Sequence, residues 1–119
     1  MTPTTTLEVI GLQSSTEITA IIDTGFQGDL LLPISQAKTL GLVLSGYAPA
    51  ILADGSRTSQ MVFAGSVRFL GKIRQAEIFV ADTDAALVGT ELLSDCQLVV
   101  DFPNQKVSLF RSEPVNKQS

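Results

Sequence analysis

The apolar runs of this chain are short, and each is closed within a few residues by a glycine, a proline or a polar turn. Leu7–Gly11 and Glu17–Ile22 are strand-like segments on either side of a Gln13-Ser14-Ser15 turn. In the second segment Ile18, Ala20 and Ile22 fall on one face and Thr19 and Ile21 on the other, the alternation a strand requires. Leu30-Leu31-Leu32 is a brief apolar run ended by Pro33, as in a buried strand. Pro49–Ala53 and Thr58–Ala64 flank Asp54-Gly55, a pair suited to tight hairpins because both residues tolerate positive φ. Val67 and Phe69, then Ala76, Ile78 and Val80, alternate about a turn expected at Gly71-Lys72. Leu98–Phe102 and Val107–Phe110 form a last hairpin about Pro103-Asn104-Gln105. Two brief helices are expected. One spans Ser35 to Leu40, with Ser35 as cap and Gly41 left-handed at its end. The other spans Thr90–Leu93, with Thr90 as cap and Glu91 near the positive end of the dipole. So many strands with regular turns predict an all-β fold, a closed or sandwiched antiparallel architecture.

A chain of 119 residues, 45 % hydrophobic and 17 % charged, can bury one core but not two lobes. Residues 1–119 are therefore expected to form a single domain, with an ordered core over about 7–111 and a loose polar tail over 112–119. No apolar run approaches the ~18 residues of a membrane span. The start, Met1-Thr2-Pro3-Thr4-Thr5-Thr6, has neither the basic nor the apolar stretch of a secretory signal. The expectation is a soluble, cytoplasmic protein with no membrane partner. Net charge is −4 and the eight Lys and Arg are scattered, densest over the hairpin-like Arg68 to Arg74, so no nucleic-acid partner is expected. Cys96 is the single cysteine, which excludes an intrachain disulfide and reads as a small core residue.

The chain has no histidine. That excludes Ser-His-Asp and Cys-His nucleophile pairs and the common zinc sites. No phosphate-binding glycine loop is present either, so no metal or cofactor is expected. Chemistry, if any, must come from carboxylates, lysines, hydroxyls or Tyr47.

One segment is locally odd. In Ala20-Ile21-Ile22-Asp23-Thr24-Gly25-Phe26 an apolar strand ends in a carboxylate, a hydroxyl and a glycine. Gly after a strand end allows a sharp bend and a close approach of another backbone. A single carboxylate does little for amide hydrolysis. Two held ~3 Å apart share a proton and act as base and acid together. Asp54 precedes Gly but sits in a turn, Asp82 and Asp84 lie in a polar loop, and Asp101 ends an apolar run before Phe102-Pro103 as a turn cap. None repeats the pattern, so a pair requires a second copy of the chain across a two-fold axis.

Asp-Thr-Gly also occurs in ordinary turns, where Asp caps backbone amides. Here a second pattern, Leu87-Val88-Gly89-Thr90-Glu91-Leu92-Leu93, follows about 65 residues later. Together they resemble the retropepsin-like, or clan AA, aspartic proteases, most closely the small prokaryotic branch with an Asp-Thr-Gly-Phe motif. The resemblance extends from Leu7 to Phe110 in element order. It implies a closed retropepsin-like acid-protease barrel, one lobe per chain with one or two short helices, active as a homodimer on peptide or protein substrates. On that likeness Asp23 is the catalytic carboxylate, Thr24 braces the partner's loop, and Gly25 offers its carbonyl to the substrate backbone. Gly89 lets its strand pass beneath the Asp23 loop, and Ala53-Asp54-Gly55-Ser56 occupies the place of the flap. Many relatives have Ser, Thr or Ala where this chain has Phe26. That bulky ring motivates a rival expectation, a catalytically weak or inactive dimer that binds peptides or proteins because Phe26 fills its cleft. A third expectation is a larger assembly using Val107–Phe110 as an edge strand. The Leu92-Leu93 pair is expected in core or dimer packing.

Overall fold

A computed structural model describes residues 1–51 and 54–112. Alternation in the sequence becomes nine strands and one helical turn: β1 (Thr4–Ile10), β2 (Ser15–Ile22), β3 (Leu30–Pro33), α1 (Ile34–Ala37), β4 (Val43–Ile51), β5 (Arg57–Phe69), β6 (Lys72–Ala81), β7 (Ala86–Val88), β8 (Cys96–Asp101) and β9 (Lys106–Arg111). Seven strands lie in the order β1-β2-β7-β3-β6-β5-β4. The sheet closes because β5 also pairs with β1, Glu8 to Arg68, Val9 to Val67 and Ile10 to Ser66. The result is a closed six-stranded barrel from which β4 projects, paired to β5.

The barrel interior is filled by every second residue of its strands, as closure demands. Leu7 and Val9, Ile18, Ala20 and Ile22, Leu30 and Leu32, Val67 and Phe69, Ala76 and Ile78, and Ala86 and Val88 are all buried. Leu40 and Leu92, each about 1 % exposed, plug the barrel from connecting segments. That settles one of the two roles expected of Leu92, which is core. Leu93 and Cys96 pack against the same cluster.

Two topological facts position the loop after β2. β7 is inserted between β2 and β3, parallel to β2 (Ile22 opposite Val88) and antiparallel to β3 (Leu30 opposite Val88). β3 in turn runs parallel to β6, Leu30 opposite Ile78. The loop joining β2 to β3 therefore has to step over the end of β7.

Several local expectations are corrected. α1 is a single turn, Ile34–Ala37, and stops short of Leu40. Pro33, rather than Ser35, is its N-cap residue, and no side chain caps it. Proline at that boundary has no N–H to satisfy, and its φ of −58° already suits the strand-to-helix turn. Gly41 does take φ +77°. Thr90–Leu93 is not a helix. It makes one helix-like bond, Leu93 N–H to the Gly89 carbonyl at 3.2 Å, before the chain turns into β8. The β5–β6 turn is at Leu70-Gly71, since Phe69 pairs with Lys72. Both turn residues have positive φ, +50° and +77°, the twist-matched geometry of a two-residue hairpin. The β4–β5 hairpin is wider than a tight turn, since the last pair of its ladder is Ile51 with Arg57. Ala53 and the tail from 113 lie outside the described residues.

β8 and β9 form a separate two-stranded sheet. Leu98, Val107 and Leu109 pack on the barrel core, while Val99 and Phe110 on the opposite face are each nearly half exposed. Arg111 fastens the hairpin to the barrel. It donates to the Phe69 carbonyl at 2.8 Å and pairs with Asp95.

Candidate active site

β2 delivers Asp23 one residue past its last ladder position. The Asp23 N–H donates to the Val88 carbonyl at 2.9 Å, so the pairing of β2 with β7 continues into the loop. Asp23 is half-buried, while Thr24 and Gly25 are exposed. Oδ1 accepts the Gly25 N–H at 2.9 Å, and among the described residues Oδ2 has no hydrogen-bond partner. A Cβ at position 25 would lie 3.3 Å from Oδ1, tighter than ordinary contact. The glycine thus keeps the backbone close beneath the carboxylate. The Phe26 N–H donates to the Asp23 carbonyl at 3.1 Å and completes a tight turn.

The two sequence patterns meet here. Gly89 follows β7 directly under the loop, and a Cβ there would lie 2.2 Å from the Gly28 carbonyl oxygen and 2.5 Å from that of Phe26. Only a residue without a side chain fits between these backbones. Three amides then lace the segments together: Gly89 to the Asp29 carbonyl at 3.1 Å, Thr90 to that of Phe26 at 2.8 Å, and Glu91 to that of Gly28 at 3.3 Å.

Phe26 does not stand in the open loop. Its ring packs edge-on to Phe79 of β6, centroids 5.7 Å apart and planes at 82°. This is the favourable arrangement of two aromatic quadrupoles.

Asp29 was not singled out in the sequence. It is 7 % exposed, the one buried charged residue among those described. Oδ1 lies 3.1 Å from Arg74 Nη2 and Oδ2 accepts the Glu77 N–H at 2.9 Å. Since Leu30 pairs with Ile78, Asp29 falls opposite Glu77 and ties the loop exit to β6. A buried charge held by an arginine and an amide is the usual way such a group is tolerated. Its one sequence signal, an acid directly before Leu30-Leu31-Leu32, carries no partner. Arg74 is 45 residues away.

The register reveals a second group. On the face away from the core, Ile21 lies opposite Leu87, Leu87 opposite Leu31, and Leu31 opposite Phe79. All four are half-buried, a row of apolar side chains crossing β2, β7, β3 and β6 beside the Asp23 loop. Only Ile21 was assigned to this face from sequence.

The flap candidate is exposed throughout its described part. Asp54 Oδ1 accepts the Ser56 N–H at 2.9 Å and the Ser56 hydroxyl at 2.6 Å, and Gly55 takes φ +85°. The Ser56 hydroxyl, then its amide, hold the Asp54 carboxyl below its ordinary value. Asp101 caps its turn as expected, accepting from the Asn104 amide at 3.2 Å. Asp82 and Asp84 are exposed in the β6–β7 loop. An apolar pocket of about 360 Å³ lies between α1 and the root of the β4–β5 hairpin, lined by Leu42, Met61, Phe63 and Val80 among others. No residue of the Asp23 loop lines it.

The barrel and the interlaced loop beneath it define the fold of the retropepsin-like proteases. Two solved structures of that fold superpose on most of the chain. EIAV protease complexed with the inhibitor HBY-793 matches at a TM-score of 0.59 and 17 % identity, covering 80 % of this chain and 88 % of that one. The solution structure of simian foamy virus (mac) protease matches at 0.59 and 16 %, covering 77 % and 92 %. At the sequence level no family profile and no curated protein matches the chain. No described helix is long and apolar enough to cross a membrane.

Proposed function

We propose that the chain is one half of an aspartic endopeptidase, working in the cytoplasm as a homodimer on peptide or protein substrates. One observation carries the reading. In a retropepsin-like barrel, the single Asp-Thr-Gly places a half-buried aspartate at a strand end, its carboxylate braced by the Gly25 amide and its loop undercut by Gly89. One carboxylate cannot serve as acid and base at once, and no other described aspartate shares this setting. Two chains meeting at a two-fold axis supply the pair.

In that pair one Asp23 is ionised and its mate protonated. The ionised group takes a proton from water as the water oxygen attacks the peptide carbonyl. The protonated group donates to the carbonyl oxygen, giving a neutral tetrahedral diol. As the diol collapses, the first Asp23 gives its proton to the leaving nitrogen while its mate takes a proton from a diol hydroxyl and the C–N bond breaks, so both carboxyls are restored and no acyl-enzyme forms. Thr24, exposed at the loop tip, would brace the partner's loop, and Gly25 would offer its carbonyl to an extended substrate. The row Ile21-Leu87-Leu31-Phe79 gives apolar side chains of that substrate a floor. The β4–β5 hairpin, including Ala53, Asp54, Gly55 and Ser56, would close over it as a flap.

The β8–β9 hairpin is the proposed pairing surface. A lone two-stranded sheet is marginal in water, and this one presents Val99, Phe102 and Phe110 at 44–65 % exposure. Pairing with its own copy would bury them. The rival reading is a dimer that binds peptides without cleaving them; its motive is Phe26, whose ring packs on Phe79.

The test is digestion of a diverse peptide library read by mass spectrometry, with wild type, Asp23→Asn, and wild type plus a transition-state-mimic inhibitor of aspartic proteases. Cleavage lost in both controls supports the reading; equal peptide binding and no cleavage by any form rules it out. Specific activity should also fall on dilution below the dimer dissociation constant.

A further inference from the structure

We propose that Phe26 is the positioning residue of the Asp23 loop. Its ring is a key that fits a slot left open because positions 28 and 89 carry no side chain.

Three observations fix the slot. A Cβ on Gly28 would come within 2.6 Å of Phe26 Cζ and 2.8 Å of Phe79 Cε1, touching both rings. A Cβ on Gly89 would come within 2.7 Å of Phe26 Cδ2, besides striking the Phe26 and Gly28 carbonyls. Phe79, the third wall, stands on β6, which is paired on both sides, to β3 and to β5. Neither Gly28 nor Gly89 has positive φ, so contact and not backbone conformation demands glycine there.

The ring acts on Asp23 through its own backbone. The Phe26 N–H is bonded to the Asp23 carbonyl and the Phe26 carbonyl receives the Thr90 N–H. Between the loop's two tethered ends, the Val88 bond at Asp23 and the Arg74 pair at Asp29, residues 24, 25 and 27 are exposed. Phe26 is the one side chain in that span anchored to the barrel by an aromatic contact. Rotating the ring out would drag the turn whose Gly25 amide holds Oδ1. The loop is thereby set inside each protomer before any partner arrives.

This rests on the aspartic-protease reading for its kinetic readout only. The test compares Phe26→Ala, Phe26→Leu, Gly28→Ala and the double variant Phe26→Ala/Gly28→Ala in the full chain. Amide hydrogen exchange is followed at Gly25, Phe26 and Thr90, with β8–β9 amides as internal control, and kcat and KM are measured on a cleaved peptide. Phe26→Ala should speed exchange at the three loop amides at least about tenfold and leave the β8–β9 amides unchanged. It should lower kcat roughly 10- to 100-fold with KM within about threefold, as a small misplacement of a reacting group does. Phe26→Leu should recover most of both. Gly28→Ala should act like Phe26→Ala, and the double variant should be no worse than either single, since both remove one contact. Unchanged loop exchange in both Phe26→Ala and Gly28→Ala overturns the proposal whatever the activity. Additive effects in the double variant also overturn it. If Phe26→Ala does not fold, Gly28→Ala and Phe26→Leu decide by the same exchange measurement. If the wild type cleaves nothing, the protease reading fails while exchange still judges the lock.

Discussion

Asp23-Thr24-Gly25 and Asp54-Gly55-Ser56 make the same local bond. In each the aspartate Oδ1 accepts the amide two residues on, at 2.9 Å. Around that shared bond everything differs. The Asp54 turn is exposed, and a Cβ on Gly55 would meet nothing within 4 Å. The Asp23 turn sits over the end of β7, crossed by Gly89, walled by two phenylalanine rings and tied off by Asp29 and Arg74. An aspartate turn is thus common chemistry, and what separates a candidate site from a hairpin tip is the tertiary frame.

The sharpest break between the two is catalytic. Asp23→Asn should cut peptide cleavage by about 10²- to 10⁴-fold, the usual loss of a general acid–base group. Asp54→Asn keeps a side-chain oxygen that can accept the Ser56 amide and acts only through the flap, so it should cost no more than about tenfold. Comparable losses at both positions would mean the frame is not what matters.

Stability should separate the paired glycines next. Gly89→Ala drives a methyl into two carbonyl oxygens and should cost roughly 1–3 kcal/mol in urea unfolding. Gly55→Ala has room but keeps an unfavourable positive φ, and should cost about 1 kcal/mol. The carboxylate that closes the Asp23 loop comes after. Asp29→Asn should cost about 1–2 kcal/mol, less than a fully buried pair, because the Arg74 side chain is 36 % exposed.

The smallest expected effect concerns acid. With its folded-state carboxyl held below the ordinary 3.8, Asp54 favours the folded turn above that value, and the contribution disappears as pH falls through the lowered one. A carbon-detected NMR titration should place the Asp54 midpoint under 3.8, and Ser56→Ala should move it back up. No upward movement would show that the hydroxyl is not the cause.

What could be read from the sequence follows from range. Alternation marked the strands because burial with period two is local, and Asp-Thr-Gly with Leu87-Val88-Gly89 could be found as patterns. Ser35 was assigned as a cap because serine caps helices in general, but Pro33 at the end of β3 already set the turn. Thr90–Leu93 has helix-compatible residues, and the bonds of Gly89, Thr90 and Glu91 to the Asp23 loop would cap a helix start, yet β8 begins at Cys96 and leaves room for one helix-like bond. Asp29 with Arg74, and Phe26 with Phe79, are pairings across the β3–β6 register, which no local pattern encodes.

The insertion of β7 between β2 and β3 also has a consequence for biosynthesis. β2 and β3 emerge from the ribosome early, yet they are not each other's neighbours, and the strand that belongs between them is translated more than fifty residues later. Until Val88 and Gly89 have left the exit tunnel, Asp23 has no carbonyl to hold its amide and its loop has no floor. A nascent chain therefore carries its acidic loop unset until β7 has followed β2 and β3 out of the ribosome.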